Sequence, residues 1–398
     1  MSSCYDIIVC GAGPSGACAG YVAASTGLKT LILERRKLPR YKTCGGGVPI
    51  SVSGFLKDLV PDAFVEAKVT RLRHTWKFKD AHTGALNPDP LDEPMSLWMV
   101  QRSVFDNALT ERAASAGCDV RDDTQVVRID RTASNKLSVT TSMGEVYNCN
   151  YVIGADGANG PTARSCGLRL DRPMAIGLEA EIAYQWDGSN ELLAPDLAHL
   201  EYAVPKGYGW VFPKENHLSI GAGVFGQRTI AGLGASRKSD LVEWVLGYVK
   251  ALSIPCDASK IEFHGHPLPI WNGSEPVEAW DGRVLLVGDA AGMINPLFGD
   301  GISYACRTGA LAAELVASGN SAQWTERVKL EFGPGMDSAL RIAKFFYQFP
   351  YLCYKMGVKH PRGTRLAGRL IAGDLGFDEI IDRLPWKNQF ANEHDRAW

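Results

Sequence analysis

The chain opens with an alternation of strand-like and helix-like segments. Residues 6–10 are mainly apolar and rich in β-branched side chains, which is typical of a short buried strand. Residues 17–26 have a helical composition that ends at Gly27. A second apolar run, residues 28–33, predicts another strand. Strand, helix and strand in this order predict a βαβ unit with a parallel sheet.

A glycine-rich turn joins the first strand to the helix. Gly11 allows a tight turn, Gly13 lets the backbone approach a pyrophosphate, and Gly16 lets the helix pack closely on the strand. The helix N-terminus offers N–H groups and a partial positive charge to phosphates. Glu34, at the end of the second strand, stands where a carboxylate accepts both ribose hydroxyls. The whole pattern predicts a dinucleotide site, and a merely tight βα turn is the less favoured alternative.

Farther along the chain the pattern becomes antiparallel. Residues 71–78 alternate as in a half-buried strand, Pro-rich turns follow around residues 87–94, and a helix is expected from about residue 100 to 116. Residues 126–149 predict a small β-meander, and residues 176–224 predict a larger β-rich segment. The last eighty residues are predicted to be mainly helical.

Two further strand ends carry glycine and aspartate. One buried strand runs into Asp156-Gly157 and another into Gly288-Asp289, ahead of a loop and a helix expected from about residue 302 to 318. Such turns are typical of phosphate- or ribose-facing positions. A second GxGxxG match, residues 221–226, is rejected as a dinucleotide site because no helix opens after it. Glycines that permit close packing within a strand are the favoured interpretation.

Three consecutive glycines, Gly45 to Gly47, follow Cys44. They are not expected to form a strand or a helix, and they predict backbone that another group approaches closely. A flexible surface loop is the alternative.

Composition narrows the function classes. The 398 residues suffice for one large or two intimately joined domains, and a net charge of −2 gives no reason to expect a nucleic-acid partner. The ten cysteines contain no CxxC and no metal-ligand spacing, so no metal is expected. The apolar N-terminal run belongs to the nucleotide fold and not to a signal peptide or membrane span. We expect a cytoplasmic protein, with peripheral membrane contact as an alternative.

The glycine fingerprint with Glu34, the Asp156-Gly157 turn and the Gly288-Asp289 strand end together resemble the FAD monooxygenase superfamily typified by p-hydroxybenzoate hydroxylase, over about residues 5–320. Within it, residues 41–47 (YKTCGGG) resemble the cysteine-glycine signature of geranylgeranyl reductases, and residues 207–214 match that family's aromatic-x-Trp-x-Phe-Pro pattern.

The resemblance implies an α/β fold with three parts. A Rossmann-type FAD-binding domain of the p-hydroxybenzoate hydroxylase type is expected from residues 1–75, 100–175 and 276–320. An antiparallel β-sheet substrate domain is expected from residues 76–99 and 176–275, and a helical C-terminal region from residues 321–398.

The resemblance also implies residue roles. The implied cofactor-binding residues are Gly11, Gly13, Pro14, Ser15, Gly16, Glu34, Arg35, Cys44, Gly45, Gly46, Arg102, Asp156, Gly157, Gly288, Asp289, Pro296, Gly299, Asp300, Gly301 and Ile302. The implied substrate-binding residues are Tyr208, Trp210, Phe212 and Pro213. The three aromatic residues would point to one face of a strand and form a wall of a prenyl tunnel, with sheet packing as the alternative. Cys44 is a candidate proton donor, or equally a residue that shapes the cavity.

The implied reaction is hydrogenation of isolated C=C bonds in a geranylgeranyl chain, with hydride from reduced FAD. NADPH and reduced ferredoxin are both candidate electron donors, and the head group of the isoprenoid substrate stays open. An aromatic hydroxylase shares every FAD motif; a halogenase is disfavoured because the WxWxIP motif is missing. A non-catalytic flavin- or lipid-binding protein is the alternative from another class. The aromatic and basic stretch at residues 341–369 either docks on anionic lipid or divides into core and solvent-facing residues.

Overall fold

A computed structural model describes residues 4–56, 58–87, 96–133, 136–168, 173–227, 235–273, 275–372 and 375–383. The Pro-rich turns predicted beyond residue 87 lie outside these ranges. Contacts divide the chain into two compact units: the first contains residues 1–42, 102–172 and 268–337, and the second contains residues 43–101, 173–267 and 338–398.

The strands of the described residues have the following bounds: β1 Cys4–Cys10, β2 Thr30–Leu33, β3 Gly47–Pro49, β4 Val65–Val69, β5 Arg71–Trp76, β6 Lys79–Ala85, β7 Leu97–Val100, β8 Asp119–Arg121, β9 Val126–Arg131, β10 Leu137–Thr141, β11 Val146–Gly154, β12 Met174–Ala183, β13 Leu197–Glu201, β14 Gly207–Pro213, β15 His217–Gln227, β16 His264–Pro269, β17 Glu278–Ala279 and β18 Val284–Leu286.

The α-helices are α1 Pro14–Ser25, α2 Arg102–Ser115, α3 Pro161–Ser165, α4 Ala235–Ala251, α5 Ile302–Ala317, α6 Trp324–Gln348, α7 Pro350–Cys353, α8 Gly363–Ala372 and α9 Phe377–Arg383. Where the structure describes the chain, no helix combines the length and the apolar composition that a membrane crossing requires.

The first unit is built on an eight-stranded sheet in the order β17-β18-β11-β1-β2-β8, with β10 beside β11 and β9 beside β10. β1 pairs in parallel with both β11 and β2. Ile7 and Val9 face one buried cluster, whereas Ile8 and Cys10 face another. Because both faces of β1 are covered, its sequence is a continuous apolar run and not an alternating one. The predicted βαβ unit is confirmed.

The second unit contains a seven-stranded sheet in the order β16-β12-β15-β14-β13-β5-β6 and a three-stranded sheet in the order β3-β7-β4. The predicted antiparallel character is confirmed for most pairs, but β13 and β5 pair in parallel. Val211 and Ile220 on one face of the larger sheet pack against Val245 of α4. Gly47 corrects one prediction, since it begins the short strand β3 and is not part of an irregular loop.

The second GxGxxG match lies within β15, as the strand interpretation predicted. Gly221 lies beneath the indole ring of Trp210, and a Cβ atom there would collide with that ring. Gly223 pairs with Tyr208 on β14 and with Gly177 on β12. These glycines therefore serve close packing across the sheet.

Candidate functional sites

The predicted dinucleotide motifs meet at the carboxyl edge of the parallel strands in the first unit. Cys10 at the end of β1 is in register with Leu33 on β2 and with Gly154 on β11, and Gly154 is in register with Leu286 on β18. Ligands of open α/β sheets bind at this edge. Each of these four strand ends is followed, one or two positions later, by a residue that was predicted to bind the cofactor. These residues are Gly11, Glu34, Asp156 and Gly288.

The three fingerprint glycines have different surroundings. Gly11 has a φ of +106°, and a Cβ atom on it would lie 2.5 Å from the Ala155 carbonyl oxygen. A Cβ atom on Gly16 would collide with the Gly11 carbonyl oxygen. At Gly13 the nearest atom to a Cβ would be the Arg40 guanidinium nitrogen, at 3.8 Å. The protein's own packing therefore requires Gly11 and Gly16, whereas the space at Gly13 suits an approaching anionic group.

The N-terminus of α1 is held close to the β18 strand end and to α5. A Cβ atom on Gly288 would lie 2.9 Å from Ser15 Oγ, and one on Gly309 of α5 would collide with the Ser15 carbonyl. The Gly288 N–H donates to Thr308 Oγ1 at 3.0 Å. Gly13 caps α1 without a side-chain hydrogen bond, and Pro14 follows it. The first turn of α1 thus has the geometry that suits a pyrophosphate.

Glu34 and Arg102 belong to one buried ionic network. Glu34 Oε2 accepts the Ala12 N–H at 2.9 Å, and its Oε1 lies 3.2 Å from Arg40 Nε. Arg40 Nη1 donates to Asp106 Oδ2 at 3.0 Å. Arg102 binds the same carboxylate with both Nε and Nη2, at 2.7 and 2.9 Å. We name the set Glu34, Arg40, Arg102 and Asp106 the ionic network.

Sequence reasoning placed Glu34 and Arg102 near the nucleotide but missed Arg40 and Asp106. The spacing of Arg102 and Asp106, four residues apart on α2, was a usable signal, since such pairs face each other on a helix. Arg35, also predicted as a cofactor residue, is exposed and follows the buried Glu34.

Asp156 has a capping role in the structure. Its Oδ2 accepts the Thr162 N–H at 2.8 Å, which places the carboxylate at the start of α3. Gly157, with a φ of +77°, has no atom within 4 Å of a Cβ position among the described residues. The turn is therefore fixed by Asp156 and open at Gly157.

The loop before α5 is organised by Asn295, a residue that sequence reasoning missed. Asn295 is 2% exposed, and its Oδ1 accepts the N–H groups of Leu297 and Phe298 at 2.9 and 3.1 Å. The Asn295 N–H donates to the Asp300 carbonyl at 2.8 Å. The predicted residues in and after this tied loop are Pro296, Gly299, Asp300, Gly301 and Ile302.

The Asp300 carboxylate accepts hydrogen bonds from two groups at the start of α5. Its Oδ1 accepts the Ile302 N–H at 3.2 Å and its Oδ2 accepts the Ser303 hydroxyl at 2.7 Å. Burial raises the pKa of the Asp300 carboxyl, although these hydrogen bonds oppose the shift. A Cβ atom on Gly301 would lie 3.5 Å from Asp289 Oδ1. The loop and the β18 strand end are therefore neighbours.

In the second unit, Tyr208, Trp210 and Phe212 form a row along one face of β14. They are half-buried and alternate with the buried Gly209 and Val211. The centroids of neighbouring rings lie 6.1 and 6.2 Å apart. The predicted common face is confirmed, and we name these three residues the aromatic row. Pro213 is buried and lies on the same face of β14 as Val211, so it is not part of the aromatic row.

The cysteine-glycine loop lies against the aromatic row. A Cβ atom on Gly45 would be 2.9 Å from Trp210 Nε1 and 3.0 Å from the Phe212 ring. One on Gly47 would be 3.3 Å from the same phenyl ring. Gly46 has a φ of +70° and is packed against the Val100 carbonyl and Lys214. The predicted close approach to this glycine backbone is therefore present. Cys44, Gly45 and Gly46 belong to the second unit.

Residues 4–221 match the family described as FAD binding domain. A digeranylgeranylglycerophospholipid reductase from Methanocaldococcus jannaschii is 28% identical over 352 residues, which cover 83% of this chain and 82% of that protein. A menaquinone reductase from Mycobacterium tuberculosis is 30% identical over 383 residues, which cover 91% of this chain and 88% of that protein.

A crystal structure of a geranylgeranyl bacteriochlorophyll reductase-like protein from Thermoplasma acidophilum has the same fold. Its TM-score is 0.72 at 20% identity, and the match covers 99% of this chain and 97% of that one. The predicted fold class, an α/β flavoprotein of the p-hydroxybenzoate hydroxylase type, is confirmed.

Proposed function

Because the chain belongs to the geranylgeranyl reductase family of FAD-dependent oxidoreductases, we propose that it hydrogenates isolated C=C bonds of a geranylgeranyl-type isoprenoid chain. The observation that carries the proposal is the packing of the Cys44–Gly47 loop on the aromatic row. Two sequence signatures of that family, more than 150 residues apart, thereby come into contact in the second unit.

The first unit supplies groups that fit FAD. The Gly11–Gly16 turn and the start of α1 would hold the pyrophosphate, and Glu34 the adenosine ribose. When bound and reduced, FAD supplies the hydride for one alkene carbon. Asp289 and the loop tied by Asn295 would orient the rest of the cofactor. NADPH and reduced ferredoxin are the two candidate electron donors.

The second unit supplies groups that fit an apolar chain. The aromatic row offers half-buried ring surfaces, which favour apolar ligands. Cys44 would donate a proton to the alkene carbon that does not receive hydride. Since an isolated alkene is unactivated, both donors must be aligned closely with the double bond.

Anaerobic turnover tests the proposal. FAD-loaded protein reduced with dithionite is expected to add two hydrogens per double bond to geranylgeranyl diphosphate, to a geranylgeranylated glycerol-ether lipid or to a prenylated quinone, as measured by mass spectrometry. The same mixture without dithionite is the control. Failure with all three substrates, together with oxygen-dependent NADPH consumption on a small aromatic compound, would contradict the reductase and support the hydroxylase. Bound FAD without any turnover would support a non-catalytic protein.

A surface near the C-terminus fits an anionic membrane. Among the aromatic residues of this stretch, Tyr347 and Tyr354 are buried, whereas Phe345 and Phe346 are half-buried, so the core interpretation holds for only part of the stretch. Five large apolar side chains are exposed between residues 349 and 366: Phe349, Tyr351, Leu352, Met356 and Leu366. Arg362 and Arg365 are exposed in the same segment. Apolar side chains beside cations favour the interface of an anionic bilayer, where the isoprenoid lipid would reside.

Replacing Leu352 and Met356 together by serine is expected to weaken liposome binding at least about tenfold, because two apolar side chains no longer enter the interface. Co-sedimentation with phosphatidylglycerol vesicles at low and moderate salt measures this. Met143→Ser is the matched control, because Met143 is 80% exposed but belongs to the first unit. Equal binding by wild type and double variant would exclude this surface as the membrane contact.

A further inference from the structure

Two ionisable residues lie in the interior of the second unit: Glu179 on β12 and Lys214 just after β14. Each is only 1% exposed. Burial raises the pKa of the Glu179 carboxyl, and burial lowers the pKa of Lys214 to about 8. Both lie beside the Cys44–Gly47 loop.

Glu179 holds the first end of this loop. Its Oε1 accepts the Cys44 N–H at 2.6 Å, and its Oε2 accepts the Ser219 hydroxyl at 3.2 Å. Ser219 Oγ in turn accepts the Trp210 indole N–H at 3.4 Å. A single carboxyl therefore links the backbone of Cys44 to the aromatic row.

Lys214 holds the second end. Its Nζ donates to the Val100 carbonyl at 2.8 Å, and the Val100 N–H donates to the Gly46 carbonyl at 2.9 Å. The ammonium lies so close to Gly46 that a Cβ atom there would collide with it. The Gly46 N–H donates to Cys44 Sγ at 3.3 Å, so the position of the thiol follows that of Gly46.

The charges around this loop are mostly negative. Glu66, Glu179, Glu181 and Cys44 all act on the Lys214 charge. Burial, together with the Lys214 charge, lowers the pKa of His217 to about 4. Glu215 faces Glu66. Neutral side chains of similar shape would pack a loop at a lower desolvation cost than two buried ionisable groups. Packing alone is therefore a poor explanation for this pair.

We propose, on the basis of the proposed function, that Glu179 and Lys214 are positioning residues that hold the Cys44–Gly47 loop at both ends and orient the Cys44 thiol for proton delivery. In the reaction, hydride with its electron pair forms a C–H bond at one alkene carbon. The Cys44 S–H bond breaks, and its proton forms a C–H bond at the other carbon. The Lys214 ammonium stabilises the thiolate, which regains a proton from water.

The decisive comparison is Glu179→Ala against Glu179→Gln. Glutamine keeps a carbonyl oxygen that can accept the Cys44 N–H, whereas alanine removes the contact. We expect kcat for alkene reduction to fall about 100-fold in Glu179→Ala, with KM changed less than about threefold, and to fall about tenfold or less in Glu179→Gln. Lys214→Met is expected to resemble Glu179→Ala. Glu181→Gln, an exposed carboxylate on the same strand, is the charge control.

A second readout reports the direction of proton delivery. In deuterium oxide, the wild type is expected to place deuterium on one face of the product carbon, as measured by NMR. Glu179→Gln should keep this selectivity, and Glu179→Ala should lose it. A Glu179→Ala enzyme that keeps wild-type kcat or full facial selectivity would overturn the proposal, as would a glutamine variant as impaired as the alanine variant.

A third readout does not depend on alkene reduction. The rate at which iodoacetamide alkylates Cys44 is expected to change at least about threefold in Glu179→Ala and Lys214→Met, because a released loop presents the thiol differently. The exposed Cys256 serves as the internal reference. An unchanged rate of Cys44 alkylation would overturn the proposal that Glu179 and Lys214 hold the loop. Altered alkylation in a protein that reduces no alkene would instead contradict the proposed function and leave the anchoring supported.

Discussion

Replacing Asp106 by asparagine is expected to lower the free energy of unfolding by about 3–5 kcal/mol, because it removes the carboxylate charge that faces the buried Arg102 guanidinium and one of the two carboxylates that contact Arg40. Asp106 is 0% exposed and accepts hydrogen bonds from Arg40 and from both Nε and Nη2 of Arg102. Arginine cannot escape the penalty by losing its proton. Urea denaturation of the cofactor-free protein measures the change.

Asp130→Asn is the matched control for Asp106→Asn. Asp130 pairs with Arg128 in an exposed ion pair, with side chains 42% and 69% exposed. Its loss is expected to cost less than about 1 kcal/mol. A change of less than about 1 kcal/mol in the free energy of unfolding is what a surface ion pair gives. If both variants stay within that range of the wild type, the ionic network does not stabilise the first unit. Arg40 also contacts Glu34, so weaker FAD binding should accompany the loss of stability.

Replacing Gly13 by alanine is expected to raise the dissociation constant of FAD about 100-fold, or about 2.7 kcal/mol, in a protein that still folds. Among the residues that the structure describes, the new methyl group would meet the Arg40 guanidinium alone, at 3.8 Å, so the protein itself accommodates it. It would, however, occupy the space through which a pyrophosphate approaches the backbone. Flavin fluorescence measures binding, and urea denaturation of the cofactor-free protein measures folding.

Gly16→Ala provides the contrast. Its methyl group would collide with the Gly11 carbonyl oxygen, so α1 could not keep its place on β1. We expect a loss of about 1–3 kcal/mol in the free energy of unfolding, with weaker FAD binding as a consequence. Wild-type affinity in Gly13→Ala, or an equal loss of stability in both variants, would show that Gly13 has no specific role in cofactor binding.

Much of the first unit was predictable because its signals are local. A glycine at a tight turn, an apolar run buried on both faces and an acid at a strand end each leave a mark within a few residues. Parallel pairing then brings Gly11, Glu34, Asp156 and Gly288 to one edge without further information. The aromatic row was predictable for the same reason, since the period of two along β14 fixes its common face.

The anchors of the cysteine-glycine loop were not predictable from such signals. Glu179 and Cys44 are 135 residues apart in the chain, and nothing near Glu179 marks its carboxyl as buried. A lysine after an aromatic strand has the pattern of a solvated residue, yet Lys214 lies in the interior. The parallel pairing of β5 with β13 was missed because hydrophobic alternation predicts a strand but not its partner.

The sheet order of the first unit also bears on how the protein is made. β18 and α5, which complete the carboxyl edge beside β11 and α1, come from residues 284–317. A ribosome that has released only the fingerprint and Glu34 has therefore exposed half of a cofactor site. A cofactor bound at this edge is expected to stabilise the nascent chain only after β18 and α5 have been synthesised. Until then the face of α1 that packs on α5 has no cover from that helix, and it is a surface that folding factors would shield.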